Sequence, residues 1–246
     1  MLHYMLQLNL KLLFVLIVFG FIMGKARQIA SRNFSKKYFG NFIMDCFNLI
    51  GTPVHELGHL FFAVLTGYHI DQVCLFQTMK KAKKNGGALG YVKMHHDGRT
   101  FLSRLLRDIG QFFIGIGPLI FGPAVIFSVS RLLPTRILVL PSALRTSLSS
   151  FAYALRQLNH TDIMLIFLFL YIMIGISLNM ELSRQDMEMA YKGILLLELL
   201  FLLVSFLALT FHFNLDYGID LLFRWNLMIA CTGIISSLIA NLIALL

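Results

Sequence analysis

The sequence predicts an all-α polytopic membrane protein of about six transmembrane helices, with a membrane-associated β-hairpin between the second and third. Three observations predict it. Of 246 residues, 58% are hydrophobic and 13% charged, against about 25% charged in soluble domains. The mean hydropathy is +0.77, and the apolar residues fall into segments near spanning length, separated by basic or glycine-containing breaks. One polar interval, 69–98, alternates in the manner of paired strands instead of repeating like a helix.

No polar stretch is long enough to fold apart from the rest, so the reading is a single membrane domain over 1–246. It divides into an accessory helix at 10–24, a core at 41–195 that includes the hairpin, and C-terminal helices at 196–246. The formal charge of +9 invites a nucleic-acid reading. The basic residues lie between the apolar segments, where membrane loops carry them, and no nucleic-acid-binding motif accompanies them. Nucleic acid is therefore not an expected partner; the lipid bilayer is. Cys46, Cys74 and Cys231 form no C-x-x-C pair, which excludes a disulfide scaffold and a cysteine-rich metal site.

Taken in order, segment 10–24 is short for a span and is followed by the basic linker Lys25 to Lys37. It has no small-residue cleavage site behind it and reads as a retained helix. The second segment, 41–67, ends at Gly67, a helix C-cap. Gly51 and Pro53 interrupt it. Proline cannot donate to the preceding turn, so a kink is expected before His55, or a helix restart with Thr52 as N-cap. Asn48 lies on the same face as His55, either supporting it or hydrogen-bonded within the bundle. Strand-like alternation over 70–78 and 88–94 flanks Lys80–Gly87, a basic turn near anionic headgroups, giving the hairpin. Phe101–Arg107 reads as a short interfacial helix. The third span, 109–132, holds Gly115, Gly117 and Gly122 with Pro118 and Pro123, a pattern for close helix approach and bends. A mixed connector follows at 133–161, then a fourth span at 162–178, a polar break at 177–186, and spans at 190–212 and 218–246. The basic residues divide almost evenly between the two sides of that topology, so the positive-inside rule assigns no orientation.

The chemistry is concentrated in His55-Glu56-Leu57-Gly58-His59. Histidines four apart on a helix project from one face one turn apart. They can close on one Zn²⁺ at about 2.0–2.1 Å each. Glu56 is rotated by about 100° from His55, which takes it off the metal and within reach of an attacking water, the place of a general base. A chance match is the bland reading, but each of these side chains costs roughly 2.5 kcal/mol or more at membrane depth if it serves nothing. A catalytic zinc needs a third protein ligand. Asp186, directly after the polar break and at the head of a helix, is the preferred choice; Glu181, Glu188 and Glu198 remain as alternatives, and Asp45 lies on another face near the membrane boundary. Asp186 could also be an ordinary acidic residue favoured by a helix N-terminus. His95 and His96 read as solvated residues at the polar end of the hairpin.

These residues carry a resemblance. His55-Glu-Leu-Gly-His59 on an apolar helix, the Gly-Gly…Gly-Tyr-Val segment at 86–92 and the Gly-Pro helix at 115–119 resemble the site-2 protease family of intramembrane zinc metallopeptidases. The likeness covers about residues 41–195. It implies that His55 and His59 are zinc ligands, that Glu56 is the general base, and that the hairpin edge at Gly90, Tyr91 and Val92 pairs with substrate. The third family motif, N-P-x-P-x-x-x-L-D-G, is only partly matched: Asn179 to Asp186 spans seven residues instead of eight, both prolines are absent, and Gln185-Asp186-Met187 replaces Leu-Asp-Gly. The expectation is a multi-pass protease of a cell membrane, acting on membrane proteins or peptides, with any regulatory membrane partner unassigned. The competing class is a non-catalytic zinc-binding scaffold or transporter, which would have no need of Glu56.

Overall fold

Four long helices and a two-stranded sheet form the described part of the chain in a computed structural model, which covers residues 40–84, 86–97, 100–139 and 145–210 with isolated positions between 25 and 33 and between 227 and 242. The expected helices at 10–24 and 218–246 lie outside the described residues. In order, the elements are α1 (Gly40–Leu65), β1 (His69–Cys74), α2 (Met79–Lys84), β2 (Tyr91–His95), α3 (Phe101–Ser130), α4 (Thr135–Leu138), α5 (Leu148–Arg156), α6 (His160–Leu178) and α7 (Arg184–Thr210).

α1 runs unbroken through Pro53. The expected restart at Thr52 does not occur: Thr52 is helical, and its hydroxyl donates to Asn179 Oδ1 at 3.2 Å. Gly51 is not a break either. A Cβ there would stand 2.0 Å from the Gly175 carbonyl oxygen, so the missing side chain is what lets α1 and α6 touch. The helix ends as expected at Gly67, whose φ is +78°. Tyr68 N–H donates to Ala63 O at 2.8 Å and Gly67 N–H to Val64 O at 3.2 Å, the paired bonds of a Schellman motif.

α3 begins on an N-cap in which Thr100 accepts from Ser103 N–H, and it continues without interruption to Ser130. The interfacial run at 101–107 is thus the first two turns of the long helix, because Asp108 and Gly110 offer no cap to end it. Gly117 meets Gly58 of α1, with a Cβ on Gly117 standing only 2.7 Å from the Gly58 carbonyl oxygen. α6 opens with a reciprocal capping box between Asn159 and Asp162. Met44 and Phe47 of α1 pack on Ile174 and Leu178 of α6. Leu119 and Ile126 of α3 pack on Ile176 and Met180, and Phe112 and Ile116 pack against Ala190 of α7. The core therefore lies where α1, α3, α6 and α7 converge.

Among the described residues two helices, 103–130 and 160–178, are long and apolar enough to cross a membrane. Of the six spans expected, those at 10–24 and 218–246 lie outside the described residues, as do many side chains of the one at 190–212. α1 is not one of the two, since His55, Glu56 and His59, with Asp45 and Asn48, dilute its apolar run. Large apolar side chains stand outward on both apolar helices, including Leu106 on α3 and Met164, Phe167 and Leu168 on α6.

The hairpin pairs β1 and β2 antiparallel from His69↔His95 to Cys74↔Tyr91, with a register shift between Ile70 and Gln72 that leaves Asp71 in a bulge. β1 stops at Cys74 and does not reach residue 78. The basic tip is also more ordered than a turn: Lys80, Lys81, Lys83 and Lys84 sit on α2. Ala82 is buried beneath them and Met79 packs on the α1–α6 core, which gives this short helix an apolar seat that a lysine count does not reveal.

Candidate metal centre

α1 presents His55 and His59 inward, one turn apart, with their Nε2 atoms 3.0 Å from each other. The first turn of α7 brings Asp186 to them. Its Oδ1 lies 3.2 Å from His59 Nε2 and its Oδ2 3.6 Å from His55 Nε2. Two ligands about 2.0–2.1 Å from one tetrahedral ion stand roughly 3.3–3.4 Å apart, and the three measured separations bracket that edge. His55, His59 and Asp186 form a group that could hold a metal ion.

The hydrogen bonds behind the ligands sharpen this. His55 Nδ1 lies 2.6 Å from the backbone oxygen of Asn179, and His59 Nδ1 lies 2.7 Å from that of Ile114. A carbonyl oxygen only accepts, so both Nδ1 atoms carry the proton and donate. In the neutral imidazoles both Nε2 atoms then offer lone pairs, aimed at each other and at the Asp186 carboxylate. Bare acceptors converging at 3.0–3.6 Å repel one another unless a proton or a metal cation lies among them. Backbone carbonyls behind metal-binding histidines fix tautomer and ring orientation in just this way. The donor set, two imidazoles and a carboxylate, suits a divalent first-row metal ion.

Asp186 also has the helix-terminal role that the sequence left open. Ser183 N–H donates to its Oδ2 at 2.7 Å, and Asp186 N–H donates to Ser183 Oγ at 3.1 Å. This is the reciprocal pairing of a capping box. The two roles coexist: the cap locks the carboxylate while its remaining lone pairs face the histidines. Glu188 is on the exposed side of α7, paired with Arg184 at 3.2 Å, and Glu181 is half-buried on the cavity wall. The side chain of Glu198 lies outside the described residues. Asp45 accepts from Met79 N–H at 2.9 Å and so caps α2 from α1.

A cavity of about 810 Å³ opens onto the group, lined among others by Glu56, Tyr68, Gly90, Tyr91, Val92 and Asn179. Glu56 is buried beside the histidines. Gly90 lies directly on it, since a Cβ at Gly90 would stand 2.6 Å from Glu56 Cγ and 2.8 Å from Oε1. Tyr91 and Val92 begin β2 on the same wall. Tyr68 donates to Arg107 O at 2.8 Å, and burial pushes its phenol up to about 12, so it stays neutral.

The remaining histidines are elsewhere. His95 bonds Asp71 at 2.8 Å on the exposed hairpin, and this carboxylate raises its pKa. His96 is not fully solvated: it is half-buried against the Tyr68 ring at 5.0 Å, where the loop after β2 turns back to α1. Asn48 supports neither His55 nor another helix. It is 1% exposed, and neither polar atom of its side chain has a partner among the described residues; the His55 proton goes to Asn179 O instead.

Sequence reasoning assigned no role to Asn179, whose carbonyl orients His55 and whose side chain ties the polar break to α6 and α1. Nδ2 donates to Gly175 O at 2.9 Å, and Oδ1 accepts from Thr52. An asparagine within the polar break, standing where the partly matched third motif has its own, was the signal. The Ile114 carbonyl left none, because every residue has one. No family model, curated protein or solved structure matches this chain.

Proposed function

We propose that the chain is a multi-pass intramembrane zinc metalloendopeptidase, similar to the site-2 proteases, that hydrolyses peptide bonds of membrane-spanning or membrane-associated proteins. One observation carries the reading: the ligand atoms of His55, His59 and Asp186 converge at 3.0–3.6 Å, and the buried carboxylate of Glu56 lies beside them on the wall of an open cavity. Three protein ligands with a fourth position left open is the pattern of catalytic zinc, whereas structural sites close all four. When bound there, zinc would polarise a carbonyl and lower the pKa of water towards neutrality.

The chain's own groups do the rest. Glu56 takes a proton from the attacking water as its oxygen bonds the scissile carbon. It returns that proton to the amine as the carbon–nitrogen bond breaks. A transmembrane helix shields its carbonyls and must unwind before it is cut. Among the described residues β2 pairs with β1 alone, so its other edge offers backbone partners to an extended substrate at Tyr91 and Val92, with Gly90 directly before them. The outward apolar faces of α3 and α6 make the lipid bilayer the surrounding solvent.

A zinc-binding scaffold or transporter would keep the ligands but gain nothing from a buried carboxylate beside them. Purified protein is expected to hold about one zinc per chain, and Glu56→Gln to retain it while losing cleavage of a co-expressed membrane substrate. Wild-type cleavage by the Gln variant would refute the protease reading; loss of zinc from it would show that Glu56 is a ligand instead.

A further inference from the structure

We propose that Gln77 is a positioning residue: it seats the strap Ala88–Gly90 against Glu56 and thereby sets the register at which a substrate strand is cut. The proposal rests on the protease reading and names a determinant of its cleavage site.

Gln77 lies between β1 and α2, in a connection where glutamine is ordinarily solvated, yet it is only 6% exposed. Its backbone N–H donates to Leu89 O at 2.7 Å, and its side-chain amide donates to Ala88 O. Two consecutive carbonyls of the strap are thus held from one side by one residue. On the other side the strap meets α1. Gly90 has room for no side chain, because a Cβ would stand 2.6 Å from Glu56 Cγ and 2.9 Å from Thr52 Cγ2. Ahead of the strap, Gly86 and Gly87 have φ of +85° and +90° and turn the chain back from α2. Asp45 pins α2 itself to α1. The strap is therefore clamped between Gln77 and the helix that carries the catalytic motif.

The consequence is a ruler. A strand added to the free edge of β2 can slip only in steps of two residues if it is to keep its faces. Which of its peptide bonds reaches Glu56 depends on how β2 is fixed relative to α1, and the strap is the point of contact. Releasing the strap leaves the metal ligands on α1 and α7 in place but lets the edge shift.

The test uses the full zinc-loaded chain in lipid, comparing wild type with Gln77→Leu and with Gln77→Glu, whose near-isosteric carboxylate cannot donate to Ala88 O. Amide hydrogen exchange across 86–92 is expected to quicken in both variants, with α1, α7 and zinc content unchanged. Product masses from a membrane substrate are expected to show cuts displaced by two residues beside the wild-type cut. kcat should fall by about 10- to 100-fold, as a misplacement near 1 Å does, with KM little altered. Unchanged exchange in both variants would overturn the clamp. Faster exchange with one unchanged cut and an unchanged rate would overturn the positioning role. A wild-type chain that holds zinc but cleaves nothing, with a strap still loosened by Gln77→Leu, would overturn the register claim through the protease reading and not through the clamp.

Discussion

Replacing Asn179 with alanine separates the metal ligands from what orients them. Asn179 caps α6: its own N–H turns back to Ile176 O, so the carbonyl of Gly175 loses its usual helical donor and depends on Asn179 Nδ2 at 2.9 Å. Alanine removes that donor and leaves a carbonyl buried between α1 and α6 without a partner. An orphaned buried acceptor costs about 1–3 kcal/mol. The Thr52 hydroxyl is less affected, because a helical threonine can turn to the carbonyl one turn behind it. Stability is therefore expected to fall by roughly 1–3 kcal/mol. The larger effect should be on the metal. The Asn179 carbonyl that receives the His55 proton belongs to the segment the side chain anchors, and outer-shell changes of this kind weaken metal binding by about 10–100-fold. Competition with a graded chelator in detergent measures the zinc affinity, and Thr52→Val serves as the milder companion. A zinc affinity within about threefold of wild type, below that range, would refute the role given to Asn179 in orienting His55.

Asp186→Asn keeps an oxygen for the Ser183 N–H and so should preserve α7, while losing more zinc affinity than the roughly 10–100-fold of an outer-shell change; full zinc content would remove Asp186 from the ligand set. Gly58→Ala must push α1 from α3, since its Cβ would stand 2.9 Å from Pro118 N, and the overpacking should cost about 1–3 kcal/mol on thermal unfolding. The Asp71–His95 pair raises the histidine pKa, so its contribution to the hairpin is complete below about pH 6.5 and fades as pH rises through the raised folded value. Both side chains are about half exposed, so the effect is small and is read as faster amide exchange at His69–Asp71 above that range. Asp71→Asn should abolish this pH dependence.

The fold was legible where a pattern was long or its chemistry expensive. The apolar runs marked α3 and α6, and the two histidines with their glutamate marked the inward face of α1. Asp186 stood out as an acid directly after an unwound break and before a helix, where a capping role suited it as well, and it has both places. Legibility failed where local propensity was overruled by packing. Gly51 and Pro53 together look like a helix break, but the contact of Gly51 with Gly175 stabilises the continuous helix that the pair would weaken in isolation. Lys80–Lys84 looks like a turn because its apolar seat consists of two residues, Met79 and Ala82. The carbonyls behind the histidines could not be found at all, since backbone acceptors carry no residue identity.

What joins these failures is that the helix contacts and the ligand geometry are one feature. Gly51 meets Gly175, and one turn further along each helix His55 meets the carbonyl of Asn179. Gly58 meets Gly117, and beside it His59 meets the carbonyl of Ile114, three residues before that glycine. Each imidazole is oriented by a neighbouring helix that a glycine pair has allowed within backbone contact. The close approach needed to aim a histidine at a carbonyl thus comes from residues with no side chain, and the apolar remainder of each helix supplies the packing that holds it there. It follows that widening either crossing should misalign one histidine and spare the other. Gly51→Ala should free the His55 ring and Gly58→Ala the His59 ring, each detectable as a change in the imidazole resonances of one ligand in the zinc-loaded chain. Equal disturbance of both rings by either substitution would mean that the two crossings act as a single unit.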